Sequence, residues 1–353
     1  MSLFLKGLLF FVGTALCTFV IQGILLRFAS TLGIREAHST EIRWNRTSKP
    51  ALGGIAMFIS LISAVFIFLV THPNENIFSN WKFVLFFLGM CLAFLMGLSD
   101  DAYNTKPLLK LSSQIVCGVC VSMSGTLLPL TSVEWVDFLI TTLWVVGIMN
   151  SINMLDNMDG ISASITLSAL LFLMLFCFIF SGFSLTIYPL LVIALMGSLV
   201  SFLFYNFPPS RIFMGDSGSQ LIGYCLSFFV LHFLWNKGAL GFVFPRHILF
   251  YITLSILAVP FIDTFTVVFN RIRRGISPAK GGKDHTTHAL FNKGLSERRV
   301  WISFFGISVV MGAIGMIIGL LFNSTQSDLA LLPFVLFYVF FYRLFQNTQK
   351  LIP

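Results

Sequence analysis

Four polar strings interrupt an otherwise apolar chain, and each gathers groups that can hold a phosphate or a divalent cation. They are SDDAYNTKPLLKLSSQ at 99–114, NSINMLDNMDG at 150–160, NFPPSRIFMGDSGS at 206–219 and the basic stretch 271–299. In the first, Asp100 and Asp101 follow directly on a long apolar run. Neighbouring residues on a helix point about 100° apart, so both carboxylates cannot face one small ion. At a helix C-terminus they also oppose the macrodipole, which suggests function over a simple interfacial turn. Lys110 and Gln114, four apart at the start of the next run, could return a cation and an amide toward them.

The second string spaces Asn150, Asn153 and Asn157 at i, i+3 and i+7 and adds Asp156 and Asp159, after which Gly160 breaks the helix. Asn and Asp are poor helix formers and costly in apolar surroundings, so a polar stripe of five is not there for packing. The third string passes through Pro208–Pro209, Arg211 and Phe213 into Gly215-Asp216-Ser217-Gly218-Ser219, which opens a new helix. Its glycines let backbone approach a ligand closely, and its free amides face an anion. Asp216 supplies a hard oxygen for a divalent cation, a pairing suited to a pyrophosphate–Mg²⁺ complex; the alternative is a plain helix cap. The fourth carries Arg271, Arg273, Arg274, Lys280, Lys283, Asp284, His285 and His288. Two histidines three apart can bind zinc, but with no third ligand nearby, convergence on phosphates is the better reading. His38, His72, His232 and His247 have no such company.

These strings need elements to position them. The chain is 57% hydrophobic and 10% charged, with a mean hydropathy of +0.91, against about 25% charged residues in soluble domains. It is therefore an all-α, polytopic membrane protein, forming one domain over 1–353. Eleven apolar runs approach the ~20 residues of a spanning helix. They lie near 4–29, 51–71, 82–99, 108–128, 135–150, 162–181, 184–205, 220–235, 246–270, 300–322 and 329–346. The runs are too long for barrel strands of about 10 alternating residues. The first is too long for the apolar part of a signal peptide and is kept as a span. Cys117 and Cys120 form a CxxC inside an apolar run and read as packing residues.

With eleven spans, eighteen of the 22 lysines and arginines fall on one face, leaving Lys6, Lys82, Lys237 and Arg246 on the other. The positive-inside rule makes the rich face cytoplasmic, with the N-terminus outside and the C-terminus inside. All four strings then open on the cytoplasmic face, near loops 100–110, 150–161, 206–219 and 271–299, beside a further loop at 30–50. The net charge of +8 is mostly a basic inner face, suited to anionic lipid head groups or phosphorylated ligands. No nucleic-acid partner is expected; a homodimer is left open.

In this order, the strings resemble the polyprenyl-phosphate N-acetylhexosamine-1-phosphate transferases, whose relatives include the phospho-N-acetylmuramoyl-pentapeptide translocase. The likeness runs from about Gly53 to Arg299, and NxxNxxDNxDG together with FMGDSGS is highly specific. KLSSQ after the aspartate pair is similar to the amino-sugar branch. The resemblance implies an enzyme of the bacterial plasma membrane, with Mg²⁺ or Mn²⁺ as cofactor. It would move a sugar-1-phosphate, most often GlcNAc-1-phosphate, from a UDP-sugar to undecaprenyl phosphate, releasing UMP. Such reactions start O-antigen, enterobacterial common antigen and teichoic acid synthesis; GalNAc and rarer deoxyamino sugars are alternative donors.

By the same resemblance, Asp216 and Asn153 are metal ligands, and Asp100, Asp101 and Lys110 form the catalytic group near the lipid phosphate. Asp156, Asn157, Asp159 and Phe213 bind the nucleotide. Arg271, Arg273, Arg274, His285 and His288 meet the sugar and pyrophosphate. Two departures stand out. The family's His-x-His-His reads His285-Thr286-Thr287-His288, and the first loop lacks the usual acidic-Pro opening. The contrasting class is a secondary transporter. Its one supporting feature is Asp263, deep in a span beside Pro260.

Overall fold

A computed structural model describes residues 3–28, 49–180, 185–236, 244–277, 282 and 284–349. Most of the predicted loop at 30–50, with His38, and also Lys280 and Lys283, lie outside them. The described residues form thirteen α-helices and no strand. We number them α1 Leu3–Phe28, α2 Gly53–Thr71, α3 Trp81–Tyr103, α4 Pro107–Met123, α5 Glu134–Leu155, α6 Ile161–Phe180 and α7 Ile187–Asn206. They continue as α8 Gly215–Val230, α9 Arg246–Ile256, α10 Ala258–Arg273, α11 Thr286–Asn292, α12 Glu297–Thr325 and α13 Leu332–Gln349.

Each predicted span falls on helix. Among the described residues, eight helices are long and apolar enough to cross a membrane on their own. The run at 246–270 is two helices, α9 and α10, meeting at 79°. Pro260 accounts for the break: its ring excludes the carbonyl four residues back, and α9 ends at that residue, Ile256. α4 and the stretch Asp328–Phe340 are apolar but shorter. The chain is a multi-pass membrane protein.

α8 is the axis of the bundle and nearly all of it is buried, among α2, α3 and α5. Glycines permit the close approach. A side chain at Gly54 would collide with Ser217 and Gly218, and one at Gly97 with the backbone of Asp216. Gly218 thus meets α2, where the sequence suggested a ligand. Below the polar ends of these helices runs a buried amide ladder. Gln114 Nε2 donates to Asn150 Oδ1 (3.1 Å) and Gln220 Oε1 (3.0 Å), and Asn150 Nδ2 returns to Gln114 Oε1 (2.9 Å). Such bonds contribute only about 0.6 kcal/mol each within a membrane, so their larger effect is to fix the rotation of α4, α5 and α8.

Candidate active site

Four helix ends bring the first three strings together around one ammonium. Lys110 Nζ donates to Asp216 Oδ2 at 2.6 Å and lies 3.3 Å from both Asp100 Oδ2 and Asn153 Oδ1. Asn153 Nδ2 donates to Asp216 Oδ1 (2.6 Å) and to Ser219 Oγ (2.9 Å). Asp100 Oδ1 accepts from both the backbone and the hydroxyl of Thr105, at 2.8 and 2.5 Å. The turn that places Thr105 there follows the left-handed Asn104 at φ 51°. Lys110 therefore does reach back to Asp100, whereas Gln114, on the same face, is taken by the amide ladder.

Asp101 does something else. Its two oxygens accept the backbone N–H groups of Asp216 (2.8 Å) and Ser217 (2.9 Å). A carboxylate badly placed at the end of α3 is thereby well placed at the start of α8, where free amides and the dipole favour an anion. The anion met by these two amides is the protein's own. Asp216 is not a cap: its side chain turns to Lys110 and Asn153.

The remaining predicted residues form a wall beside this floor. Asp159 Oδ2 accepts from Ser210 N–H (2.9 Å) and faces Lys49 Nζ (3.4 Å), so it ties the 206–213 loop to the chain before α2. Lys49 also donates to Ser210 Oγ and stands 5.2 Å from the centre of the Phe213 ring. Phe213 is further fixed by its backbone, bonded to Pro50 and Gly53. Asp156 is half-buried, and its carboxylate has no hydrogen-bond partner among the described residues. Burial, with the carboxylates of Asp216, Asp101 and Asp159 nearby, pushes its pKa well above the usual carboxylate range. Asn157 meets Thr287 and the Met154 carbonyl.

On the far side, Arg271 is buried and grips Asp284 through two nitrogens, Nε at 2.7 Å and Nη2 at 2.5 Å. Burial works against the Asp284 carboxylate, but the Arg271 hydrogen bonds and charge hold its pKa below the usual value. Arg273 and Arg274 are exposed at the end of α10. His285 and His288 are buried with ring centres 5.7 Å apart. Asp263, the feature that favoured transport, is fully buried and anchors this segment. Its carboxylate contacts His285 Nδ1 and accepts the Thr286 N–H, both at 3.2 Å. An aspartate in an apolar helix is thus explained by a partner 22 residues later.

Asp263 and Lys49 are the residues whose place in the site the sequence did not reveal. Asp263 carried a signal, an acid within a span, read for the wrong class. Lys49 has the sequence context of any topology-setting cation. Among the described residues, no three His, Cys, Asp or Glu side chains are arranged to hold a metal. The oxygens that do converge on one point are those of Asp100, Asp216 and Asn153.

Residues 83–234, which contain the floor, match the model of glycosyl transferase family 4. The chain is 30% identical over 311 residues to a "Decaprenyl-phosphate N-acetylglucosaminephosphotransferase" of Mycobacterium leprae, covering 81% of this chain and 77% of the relative. It is 28% identical over 298 residues to a "Probable undecaprenyl-phosphate N-acetylglucosaminyl 1-phosphate transferase" of Bacillus subtilis, covering 82% and 78%. A "Phospho-N-acetylmuramoyl-pentapeptide-transferase" of Prochlorococcus marinus is 25% identical over 87% of this chain and 89% of its own length. With its polar floor inside the matched segment and similarity extending over most of its length, the chain belongs to glycosyl transferase family 4.

Proposed function

We propose that this protein transfers GlcNAc-1-phosphate from UDP-GlcNAc to undecaprenyl phosphate, releasing UMP, as the first membrane step in making a cell-surface polysaccharide. The observation that carries the reading is the Asp100–Lys110–Asp216–Asn153 cluster at the mouth of α8. It places one cation and two carboxylates where apolar helices end, as transfer between a water-soluble donor and a lipid acceptor requires. The names of the Bacillus and Mycobacterium relatives, which pair a polyprenyl phosphate with N-acetylglucosamine, support the same substrates.

Phosphoryl transfer asks a protein for positioning and charge neutralisation more than for covalent help. A phosphate monoester has a second pKa of about 6, so the lipid acceptor is largely dianionic at neutral pH and needs no strong base. Asp100, held by Thr105 and Lys110, orients the acceptor or takes its last proton in a single displacement. Lys110 neutralises phosphate charge. Asp101 keeps the start of α8 in place and so sets where Asp216 stands. Asp156 and Asn157 offer a carboxylate and a carboxamide to the nucleotide, with Asp159 and Phe213 shaping that side. Arg271, His285 and His288 face the sugar and pyrophosphate, and Arg273 and Arg274 suit anionic head groups.

The site fits a hard divalent ion, because oxygens from α3, α5 and α8 already converge on one cation, the Lys110 ammonium. Asp216, with Asn153 and Asp100, would hold it. When bound, Mg²⁺ or Mn²⁺ supplies charge neutralisation on the pyrophosphate and the departing UMP. The site opens to the cytoplasm of a bacterial cell, with the N-terminus outside and the C-terminus inside. The test is UMP release by purified protein given undecaprenyl phosphate, Mg²⁺ and a panel of UDP-sugars. Turnover with UDP-GlcNAc is expected; turnover only with another UDP-sugar would move the donor, and no lipid-dependent UMP release would remove the reading.

A further inference from the structure

α11 is a seven-residue helix, and at its second position Thr287 stands where the family pattern places a histidine. Thr287 is fully buried, and its hydroxyl is 2.7 Å from Asn157 Oδ1, across 130 residues of sequence. The other end of the Asn157 amide, Nδ2, donates to the Met154 carbonyl at 2.8 Å. A carbonyl can only accept, so the Met154 contact dictates which end of the amide is nitrogen. The oxygen end must then take its hydrogen from Thr287. The two contacts together leave one arrangement of the amide, and among the described residues they are its only hydrogen bonds. One amide N–H of Asn157, itself half-buried, has no partner among the described residues in this arrangement.

We infer that Thr287 is a positioning residue for the donor nucleotide: it fixes the Asn157 carboxamide so that its remaining N–H is presented to an acceptor oxygen of the uridine half. This rests on the proposed transferase reading and extends it to a residue where the family pattern is broken. The hydroxyl matters because it carries the hydrogen that Asn157 Oδ1 accepts. A valine has the shape of threonine but cannot donate. It would leave the Asn157 oxygen unpaired and the amide free to turn. A serine keeps the donor.

The experiment measures UMP binding to the purified full chain in detergent with Mg²⁺, by calorimetry, for wild type, Thr287→Val, Asn157→Ala and the double variant. Thr287→Val and Asn157→Ala are each expected to weaken UMP about fivefold, the scale of one neutral hydrogen bond. The double variant should be no weaker than either single one, because both changes remove the same contact. Thr287→Ser should stay within twofold of wild type. In turnover, Thr287→Val should raise the KM for UDP-GlcNAc while kcat holds. Unchanged UMP affinity in Thr287→Val, or losses that add in the double variant, would overturn the inference, as would a Thr287→Ser as weak as the valine variant. Failure of the transferase reading has a different signature: wild-type protein that binds UMP but releases none from UDP-sugars in the presence of lipid phosphate.

Discussion

The floor and the wall of the site are built by different means. The floor, Asp100, Asp101, Lys110, Asn153 and Asp216, sits on the ends of long helices pressed together at Gly54 and Gly97. Its positions are set by backbone packing, and the amide ladder below fixes the rotation of three of those helices. The wall, Asp263, Arg271, Asp284, His285 and Thr287, sits on a helix beyond a 79° break, on a seven-residue helix and on the two residues just before that helix. Its positions are set by side-chain contacts, Asp263 to His285 and the Thr286 amide, Arg271 to Asp284, Thr287 to Asn157. Under the proposed function, the chemistry, which tolerates little displacement, falls to the first, and recognition, which can change with the donor sugar, to the second.

Four measurements test this division. The largest effect is expected for Asp216→Asn, which should cut transfer by about 10³-fold or more, the scale seen when a key electrostatic stabiliser is removed. Insertion and melting temperature should stay near wild type; full activity would remove Asp216 from the floor. Asp101→Asn comes next. It removes a charge that accepts two backbone amides, and about 10²-fold is expected in kcat with the KM for UDP-sugar kept. A KM effect alone would place Asp101 in recognition and collapse the distinction.

On the wall, Asp263→Asn should raise the KM for UDP-sugar about tenfold while kcat falls little, because His285 and the Thr286 amide lose a charged partner. An equal loss of kcat would mean that the wall takes part in the chemical step. The smallest effect concerns Asp156. Its pKa is raised in the folded protein, so the folded state binds its proton more tightly than the unfolded one. Stability from this group therefore falls as pH rises from the ordinary carboxylate range through the raised value. Asp156→Asn removes that loss. The substrate-free variant should melt above wild type at pH 7.5, with the gap closing toward pH 4. An unchanged gap across that range would assign the shift to something other than the carboxylate.

The sequence made the spans legible because long apolar runs have one reading in a membrane, and the four strings legible because polar residues are costly there. Lys110 was readable from its spacing, since its partner Asp100 lies only one turn and a loop away. Gln114 has the same spacing yet serves the amide ladder, because Gln220, 106 residues on, competes for it. Asp101 could not be separated from Asp100 without knowing that α8 begins beside it. Asp263 showed its oddity but not its partner, which a loop brings back from outside the span. What local pattern conveys is which residues are expensive to keep; what it omits is the distant group that makes each one tolerable.

By placing the Lys110 ammonium between Asp100 and Asp216, the chain balances the charge of the site from within. The fold does not depend on an outside ion to keep two carboxylates side by side. Catalysis and structural integrity should therefore separate cleanly under chelation. EDTA is expected to stop UMP release completely and reversibly, with Mg²⁺ restoring it, while the melting temperature in detergent stays within about 1 °C, less than the shift for ~1 kcal/mol in a chain of 353 residues. A chelated protein that unfolds would show that the internal counter-ion is insufficient.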